Sequence, residues 1–547
     1  MKTNSQKKLV SAALVPLNLF VYNFQPKDWG TGIAVSETKY LIGNKKIVFN
    51  TLLLYSRSVI IMILSLFIVR KTLHILGVTD YGIFNIVAGA VSMLSFLTSS
   101  MATSSQRFFS YEIGKGNFYK LGRLFTNNMI IYIIFTFIIV LFGETVGLWF
   151  VKYKLVYPEE KTFDVILVYH FSIITLSFSI LSTSYLSLLI AYEKMNYFAV
   201  ISILDISLKL TSVFILELLV FENKLVIYSV SLSVVSFIVF LTYKFVCNFK
   251  YRESIIKFNF DKNEIKELIS FISWNFFGSI AGLSKIQGTN ILLNIFFGPI
   301  VNASKAISSQ VNSAVVTFSQ NFSTAIRPNI VKLYATDNDN TLRFVFFSCK
   351  ITYFLMLIVS LPIILKLDFL LSFWLVNVPE HAVIFTSLVL IDSLIDSVSY
   401  PLMGLAQATG KIKLYQVLIG SLIMLNIPIS YIFLKFNFAC EIVFYIMLFI
   451  TLIAFIGRLF IVKQLIHFSI KEFAIKVIKP ILAVTFLNLL MTFFTNKILI
   501  DSICDFVLFF ACFIVLNLFI TFNIGFEKKD KNKMINYILG KIKRKIC

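Results

Sequence analysis

The chain has 547 residues, of which 58% are hydrophobic and 14% are charged, and its mean hydropathy is +0.85. Soluble globular chains are closer to half apolar and a quarter charged, so this composition excludes an ordinary soluble protein. A net charge of +22 would suit nucleic-acid binding, but the positions of the basic residues along the chain argue against that partner.

Long apolar segments recur along the chain and predict transmembrane helices. A bilayer core of roughly 30 Å needs about 20 apolar residues per helix, and the runs are too long for barrel strands. We therefore predict an all-α polytopic membrane protein with about 14 spans. They lie near residues 47–69, 81–104, 126–148, 165–190, 197–220, 225–246, 268–292, 304–326, 344–365, 382–406, 414–434, 440–462, 477–496 and 502–523.

These spans divide the chain into six predicted regions. They are a cytoplasmic or interfacial arm (1–46), an N-lobe of spans 1–6 (47–246), a cytoplasmic linker (247–267), a C-lobe of spans 7–12 (268–462), spans 13 and 14 (463–523) and a basic cytoplasmic tail (524–547).

The lysines and arginines give the orientation. With the N-terminus in the cytoplasm, 36 of the 50 lie on the cytoplasmic side, nine on the opposite side and five within spans. This bias follows the positive-inside rule, so the sequence predicts a multi-pass protein with both termini in the cytoplasm. The excess charge then faces anionic lipid rather than nucleic acid.

Matching residues in the two halves indicate an internal repeat. Four positions in or just before the second span match positions in or just before the eighth at a constant offset: Gly77 with Gly298, Ile86 with Ile307, Ser92 with Ser313 and Thr103 with Thr324. In the fourth and tenth spans, Ser184-Tyr185 matches Ser399-Tyr400. Six spans per repeat insert both halves the same way up, which predicts two parallel six-helix repeats, a cavity between them and two additional C-terminal helices.

Polar residues within the spans are the candidate site, because burying them in lipid is costly. The eighth span carries Lys305, Asn312 and Gln320 on one helical face. Arg57 in the first span and Lys285 in the seventh have no acidic neighbour one turn away. These five residues are predicted to line the cavity and bind substrate; interhelical hydrogen bonds and ion pairs with distant carboxylates are the alternative.

Two further pairs lie one turn apart. Asp205 and Lys209 are predicted to form a structural ion pair. Asp392 and Asp396 would not both ionise easily in a low dielectric, so they are candidates for proton or Na⁺ coupling. Alternatively, they neutralise Lys285 or Lys305 across the cavity.

Catalytic and metal-binding motifs are not evident. The four histidines and six cysteines are scattered without HxxxH or CxxC spacing, and no Walker loop occurs. Asp337-Asn-Asp339 has a DxD form but lies in a short loop. The sequence therefore predicts a protein that is not an enzyme and has no metal site and no cofactor.

Several short motifs carry a family resemblance. They are NTLLLYSR (50–57), LGVTDYGIF (76–84), LIAYEK (189–194), WNFFG (274–278), FGP (297–299) and the polar eighth span. With them the chain resembles the polysaccharide-exporter branch of the MOP (MATE-like) flippase superfamily, especially the Wzx-type O-antigen flippases, over about residues 41–525. In that family the chain usually starts near Lys45, so the arm is expected to reflect an upstream start codon.

The resemblance implies a function that hydropathy does not show. Such proteins move undecaprenyl-pyrophosphate-linked oligosaccharides across the bacterial inner membrane for O-antigen or capsule synthesis, by alternating access. It implies that Arg57, Lys285 and Lys305 handle the anionic headgroup, and that polysaccharide polymerase and chain-length proteins are candidate partners. A multidrug or cation antiporter of the same superfamily, a membrane glycan polymerase or glycosyltransferase, and a peptidoglycan-precursor flippase are the alternatives.

Overall fold

A computed structural model describes residues 35–92, 94–154, 157–218, 223–257, 261–375, 378–466, 468–495, 502–528 and 531–532. Every regular element within these segments is a helix. The predicted arm up to residue 34 and the predicted tail after residue 532 lie outside the described residues. Within the described segments the all-α class is confirmed.

The helices follow one another with short connections. Their bounds are α1 Val35–Ser92, α2 Ser95–Lys115, α3 Phe118–Phe142, α4 Leu148–Lys154, α5 Thr162–Ala191, α6 Met195–Leu218, α7 Lys224–Lys250, α8 Lys262–Thr336, α9 Asn338–Leu365, α10 Leu367–Trp374, α11 Ala382–Ser397, α12 Ser399–Ala408, α13 Lys413–Met424, α14 Asn426–Lys435, α15 Ile442–Ile466, α16 Ile470–Phe473, α17 Lys479–Thr495 and α18 Ile503–Ile524. One π-helical turn, Gly143–Gly147, joins α3 to α4, and another, Ala474–Ile478, joins α16 to α17.

Two glycines bend the longest helices at equivalent positions of the repeat. Gly77 in α1 has φ 76° and ψ 172°, and Gly298 in α8 has φ 77° and ψ −170°. Only glycine adopts this conformation readily, so each residue ends one helical segment and starts the next. They are the first matched pair of the repeat, and they separate the first predicted span from the second and the seventh from the eighth.

Local capping explains several other helix starts. Asp261 accepts hydrogen bonds from the backbone N–H groups of Asn263 and Glu264 at the start of α8. Asp337 accepts from the Asn340 N–H at the start of α9. These carboxylates satisfy backbone donors that have no partner within the helix. The first Asp of the DxD motif is therefore a helix N-cap.

Ten helices in the described part of the chain are long and apolar enough to cross a membrane. The number is eleven if α11 and α12, which meet at a 40° bend, count as one broken span. The predicted spans at 81–104, 268–292 and 304–326 do not meet the same criterion of length and apolar composition. They carry polar side chains that pack inside the protein, so the count of fourteen stays a prediction.

The apolar core consists of two large clusters. The buried side chains of one cluster lie between residues 83 and 272 of the sequence, together with Ile412. Those of the other lie between residues 315 and 520. Helices α2 and α8 pack against each other between them. Large apolar side chains on the outside, such as Phe137, Ile295 and Phe519, are more than half exposed, as expected for surfaces that face lipid. The exact boundaries of the two lobes stay a prediction.

Candidate functional site

Lys285 lies in a buried polar triad formed by three helices. Its Nζ is 2.7 Å from Asp392 Oδ2 on α11 and donates to Thr451 Oγ1 on α15 at 3.0 Å. Thr451 in turn donates to Asp392 Oδ1 at 2.6 Å. The geometry is therefore that of an ion pair with a carboxylate distant in sequence, which was one of the two predictions for Lys285.

Lys305 lies near this triad but has no carboxylate of its own. Its side chain is 5% exposed, and its Nζ is 5.4 Å from the centroid of the Phe444 ring. Lys285 and Asp392 are within electrostatic range. No acid within 4.0 Å of Lys305 occurs among the described residues, so two ammonium groups share one carboxylate here.

Asp396 is one turn from Asp392 but has a different partner. Its Oδ1 accepts a hydrogen bond from Arg458 Nη1 at 2.6 Å. The two carboxylates therefore do not face each other over a shared proton; each is paired with its own cation. Asp392 pairs with Lys285, as in the predicted alternative, whereas Asp396 pairs with Arg458 rather than with Lys285 or Lys305. Their role in ion coupling stays a prediction.

A cavity of about 270 Å³ lies next to Arg458, where α2, α8, α12, α13 and α15 meet. Its wall mixes polar and apolar side chains, and the polar ones include Ser99, Thr103, Asn275, Gln407, Gln416 and Arg458. Gln416 donates to Asn275 at 3.0 Å, and Asn275 donates to Ser104 at 2.8 Å, which links both halves of the chain.

Two buried nitrogens at this cavity, Gln407 Nε2 and Arg458 Nε, have no acceptor in the described segments. A buried N–H without an acceptor costs about 1–3 kcal/mol, so a rearrangement that brings an oxygen to either nitrogen would be stabilising. None of the five predicted substrate-binding residues lines this cavity.

Arg57 lies apart from the two lysines. Its guanidinium carbon is 4.2 Å from the centroid of the Phe198 ring, and its Nε has no acceptor among the described residues. The next residue, Ser58, accepts a hydrogen bond from Asn321 at 3.0 Å. Asn321 and Lys305 are 16 residues apart in one helix, which corresponds to about 24 Å. The structure thus brings Lys285 and Lys305 together and separates Arg57 from them.

The other predicted residues have simpler surroundings. Asn312 accepts a hydrogen bond from Ser393 at 2.8 Å, which joins α8 to α11. Gln320 is exposed on the same helix. Lys209 Nζ is 2.8 Å from Asp205 Oδ2, the ion pair expected from their spacing.

Besides Arg458, the sequence did not indicate two arginines at the contact between the halves, the buried Arg107 and the partly buried Arg327. Arg107 on α2 is 8% exposed, packs against the Phe108 ring and donates to the Ala408 carbonyl at 3.3 Å. Arg327 on α8 contacts Thr103 Oγ1 at 3.5 Å. Counting charges assigned both to cytoplasmic loops, whereas α2 and α8 continue past the predicted span ends and carry them into the contact between the halves.

The buried charges in the described part of the chain do not balance. Each buried carboxylate, namely Glu112, Asp164, Glu193, Glu264 and Asp392, has a cationic partner within 4.0 Å. Arg107 and Lys305 are buried without such a partner among these residues. The uncompensated buried charge is therefore positive.

The fold is similar to solved structures of MATE transporters. A MATE protein in its straight conformation matches with a TM-score of 0.67 and 12% identity, over 78% of this chain and 96% of that chain. An outward-facing multidrug resistance MATE family transporter of the MOP superfamily matches with a TM-score of 0.68 and 12% identity, over 80% and 99%. The predicted MOP-type fold is thus confirmed.

A third similar structure differs in its described pocket. It is a MOP superfamily transporter from Pyrococcus furiosus for which reverse polarity of the binding pocket suggests a different function. The TM-score is 0.67 at 12% identity, over 80% of this chain and 99% of that chain. No protein-family model and no curated protein matches the chain. Identities this low establish the fold alone.

Proposed function

We propose that this protein is a membrane transporter that moves an anionic, lipid-linked oligosaccharide between the leaflets of a bacterial inner membrane. The observation that carries the proposal is the buried ammonium group of Lys305, which has no acid within 4.0 Å in the described part of the chain and shares the Asp392 carboxylate with Lys285. Burying a cation without a counter-ion costs several kcal/mol, so a site of this kind is stabilised when an anion enters it. The sequence motifs of the polysaccharide-exporter branch support undecaprenyl pyrophosphate as the carrier.

The cavity suits the glycan part of such a cargo. Its wall offers amide and hydroxyl groups, among them Asn275, Gln407 and Gln416, that can form hydrogen bonds with sugar hydroxyls, beside apolar groups that can pack on the sugar rings. The prenyl chain would stay in lipid while the headgroup crosses between the halves. In this mechanism the protein replaces the hydration shell of the headgroup, because an unaided charged group would be too costly to bury.

Alternating access requires contacts between the halves that can break and re-form. Ser100 and Ser279 are 2.6 Å apart across α2 and α8, and Lys332 pairs with Glu193 at 2.5 Å. The Ser100–Ser279 contact lies at the cavity, and the Lys332–Glu193 pair closes one end of the interface between the halves. By the distribution of lysine and arginine this end is cytoplasmic, with both termini on the same side.

The test is transport of a fluorescent undecaprenyl-pyrophosphate oligosaccharide by the full chain in proteoliposomes, read by quenching from outside with dithionite. We expect Lys305→Gln to slow translocation at least tenfold, since one unmet charge interaction is worth about 1.4 kcal/mol or more. Lys305→Arg should retain activity. Lys435→Gln, which removes an exposed lysine, is the matched control and should behave as wild type.

The rival is a multidrug or cation antiporter, because the similar solved structures include a multidrug resistance transporter. A site for cations would be expected to hold an uncompensated buried carboxylate, and none occurs in the described part of this chain. Uptake of a cationic dye against a Na⁺ or proton gradient, with no movement of the anionic lipid, would overturn the proposal.

A further inference from the structure

Three potential metal ligands meet at the ends of two helices far from the cavity. His381 precedes α11, and Cys440 and Glu441 directly precede α15. His381 Nδ1 is 2.8 Å from Glu441 Oε1 and 3.6 Å from Cys440 Sγ. Cys440 is buried, and the His381 ring is held by stacking on Phe385. All three ligand atoms lie within 4.8 Å of one another.

The spacing of these atoms fits a tetrahedral ion. Zinc binds nitrogen at about 2.0–2.1 Å and sulfur at about 2.3 Å, so the two ligand atoms of a tetrahedral site lie about 3.6 Å apart. The observed distance between Cys440 Sγ and His381 Nδ1 is 3.6 Å. The histidine–carboxylate distance is that of a hydrogen bond and would open by about 0.5 Å to admit an ion.

We propose that His381, Cys440 and Glu441 bind a divalent transition-metal ion, with Zn²⁺ as the best match. Thiolate and imidazole favour zinc over Ca²⁺ or Mg²⁺, which prefer oxygen ligands. Three protein ligands leave a fourth position for water. Sequence spacing predicted no metal site because His381 and Cys440 are 59 residues apart.

The site joins the same two helices that hold the lysine triad. Asp392 is 11 residues after His381 on α11, and Thr451 is 11 residues after Cys440 on α15. The proposed ion and the Asp392–Thr451 hydrogen bond therefore tie α11 to α15 at two levels about 16 Å apart. A bound ion would hold the helix pair that positions Lys285.

The proposal is tested with the full chain, purified in detergent and stripped with a chelator. Titration with Co²⁺ should produce the absorbance band of a thiolate-to-cobalt transition at one ion per chain, and Zn²⁺ should displace it. Cys440→Ser should abolish the band. His381→Ala and Glu441→Gln should each weaken binding at least about tenfold, since loss of even an outer-shell partner costs that much.

Two variants control for other ligands. Cys512→Ser removes an exposed cysteine, and His170→Ala removes a histidine that is 2.9 Å from Glu144 in a pair without a thiol. Both should bind Co²⁺ as wild type does. Because serine replaces cysteine almost isosterically, Cys440→Ser is expected to fold, which its melting temperature without metal checks. A thiolate band that persists in Cys440→Ser, or no band in the wild type, would overturn the assignment.

Discussion

Lys285 and Lys305 show at the residue scale how similar side chains come to differ in role. Both are in α8, separated by the bend at Gly298. Lys285 is neutralised by Asp392 at 2.7 Å, whereas Lys305 has only the Phe444 ring and a shared carboxylate nearby. Under the proposed function, Lys285 therefore has a structural role, whereas Lys305 is available to bind the anionic cargo.

Removing the carboxylate of the Lys285 pair should destabilise the protein. Asp392→Asn leaves the ammonium group buried without compensation, which costs about 3–5 kcal/mol for a broken buried pair. We expect a clearly lower melting temperature of the purified protein in detergent. Glu472→Gln, at an exposed ion pair with Lys476, is the matched control and should cost less than about 1 kcal/mol.

A double variant separates the lost charge from lost packing. Lys285→Met with Asp392→Leu removes both charges and should recover most of the melting temperature, because apolar residues often replace a buried pair without loss. If Asp392→Asn has the same melting temperature as wild type, the ion pair contributes nothing to stability. Lys285 is then again a candidate for binding cargo.

The bends at Gly77 and Gly298 are the clearest feature at the scale of elements. A Cβ at either position would meet no atom within 4 Å, so the requirement for glycine is one of backbone conformation alone. Each bend lies between two predicted spans, Gly77 in α1 and Gly298 in α8. The matched glycines therefore set where one span ends and the next begins in both halves.

Gly298→Ala should strain this bend. A non-glycine residue in this region costs about 1–3 kcal/mol. We expect a lower melting temperature together with a lower fraction of correctly inserted protein. Gly282→Ala lies in the same helix with an ordinary conformation and open space, and should be neutral or stabilising by up to about 1 kcal/mol. Equal melting of the two variants would show that the bend is not constrained by its glycine.

The sequence predicts the helices well and the pairing of buried charges poorly, for a physical reason. The length of the apolar segments predicts helices, and the Gly77–Gly298 match predicts a repeat, because these signals lie in the sequence itself; the bends at the two glycines were not predicted. Lys285 and Asp392 are 107 residues apart, and only packing of α8 on α11 brings them together. Arg107 and Arg327 were assigned to cytoplasmic loops, because a basic residue at the end of a span usually marks the orientation of that span.

At the scale of the whole molecule, the three predicted spans that are too polar to meet the hydropathy criterion all contribute to the candidate site. The predicted spans at 268–292 and 304–326 contain Lys285 and Lys305, and the one at 81–104 lines the cavity through Ser99 and Thr103. Helices surrounded by other helices do not need an apolar face all round, so polarity and a spanning position are compatible.

If residues 268–292 cross the membrane, the bend at Gly298 lies on the side opposite the linker. If residues 268–292 cross the membrane, Asn302 and Lys257 lie on opposite sides; if they do not, both lie on the same side. In spheroplasts carrying a cysteine-free background, we expect Asn302→Cys to react with an impermeant maleimide. Lys257→Cys should react only after permeabilisation, because the linker is predicted to be cytoplasmic. Labelling of both cysteines from outside would show that residues 268–292 do not cross the membrane, and the span count would fall below fourteen. The basis for two parallel repeats would then be lost, because both halves insert the same way up only if each repeat has an even number of spans.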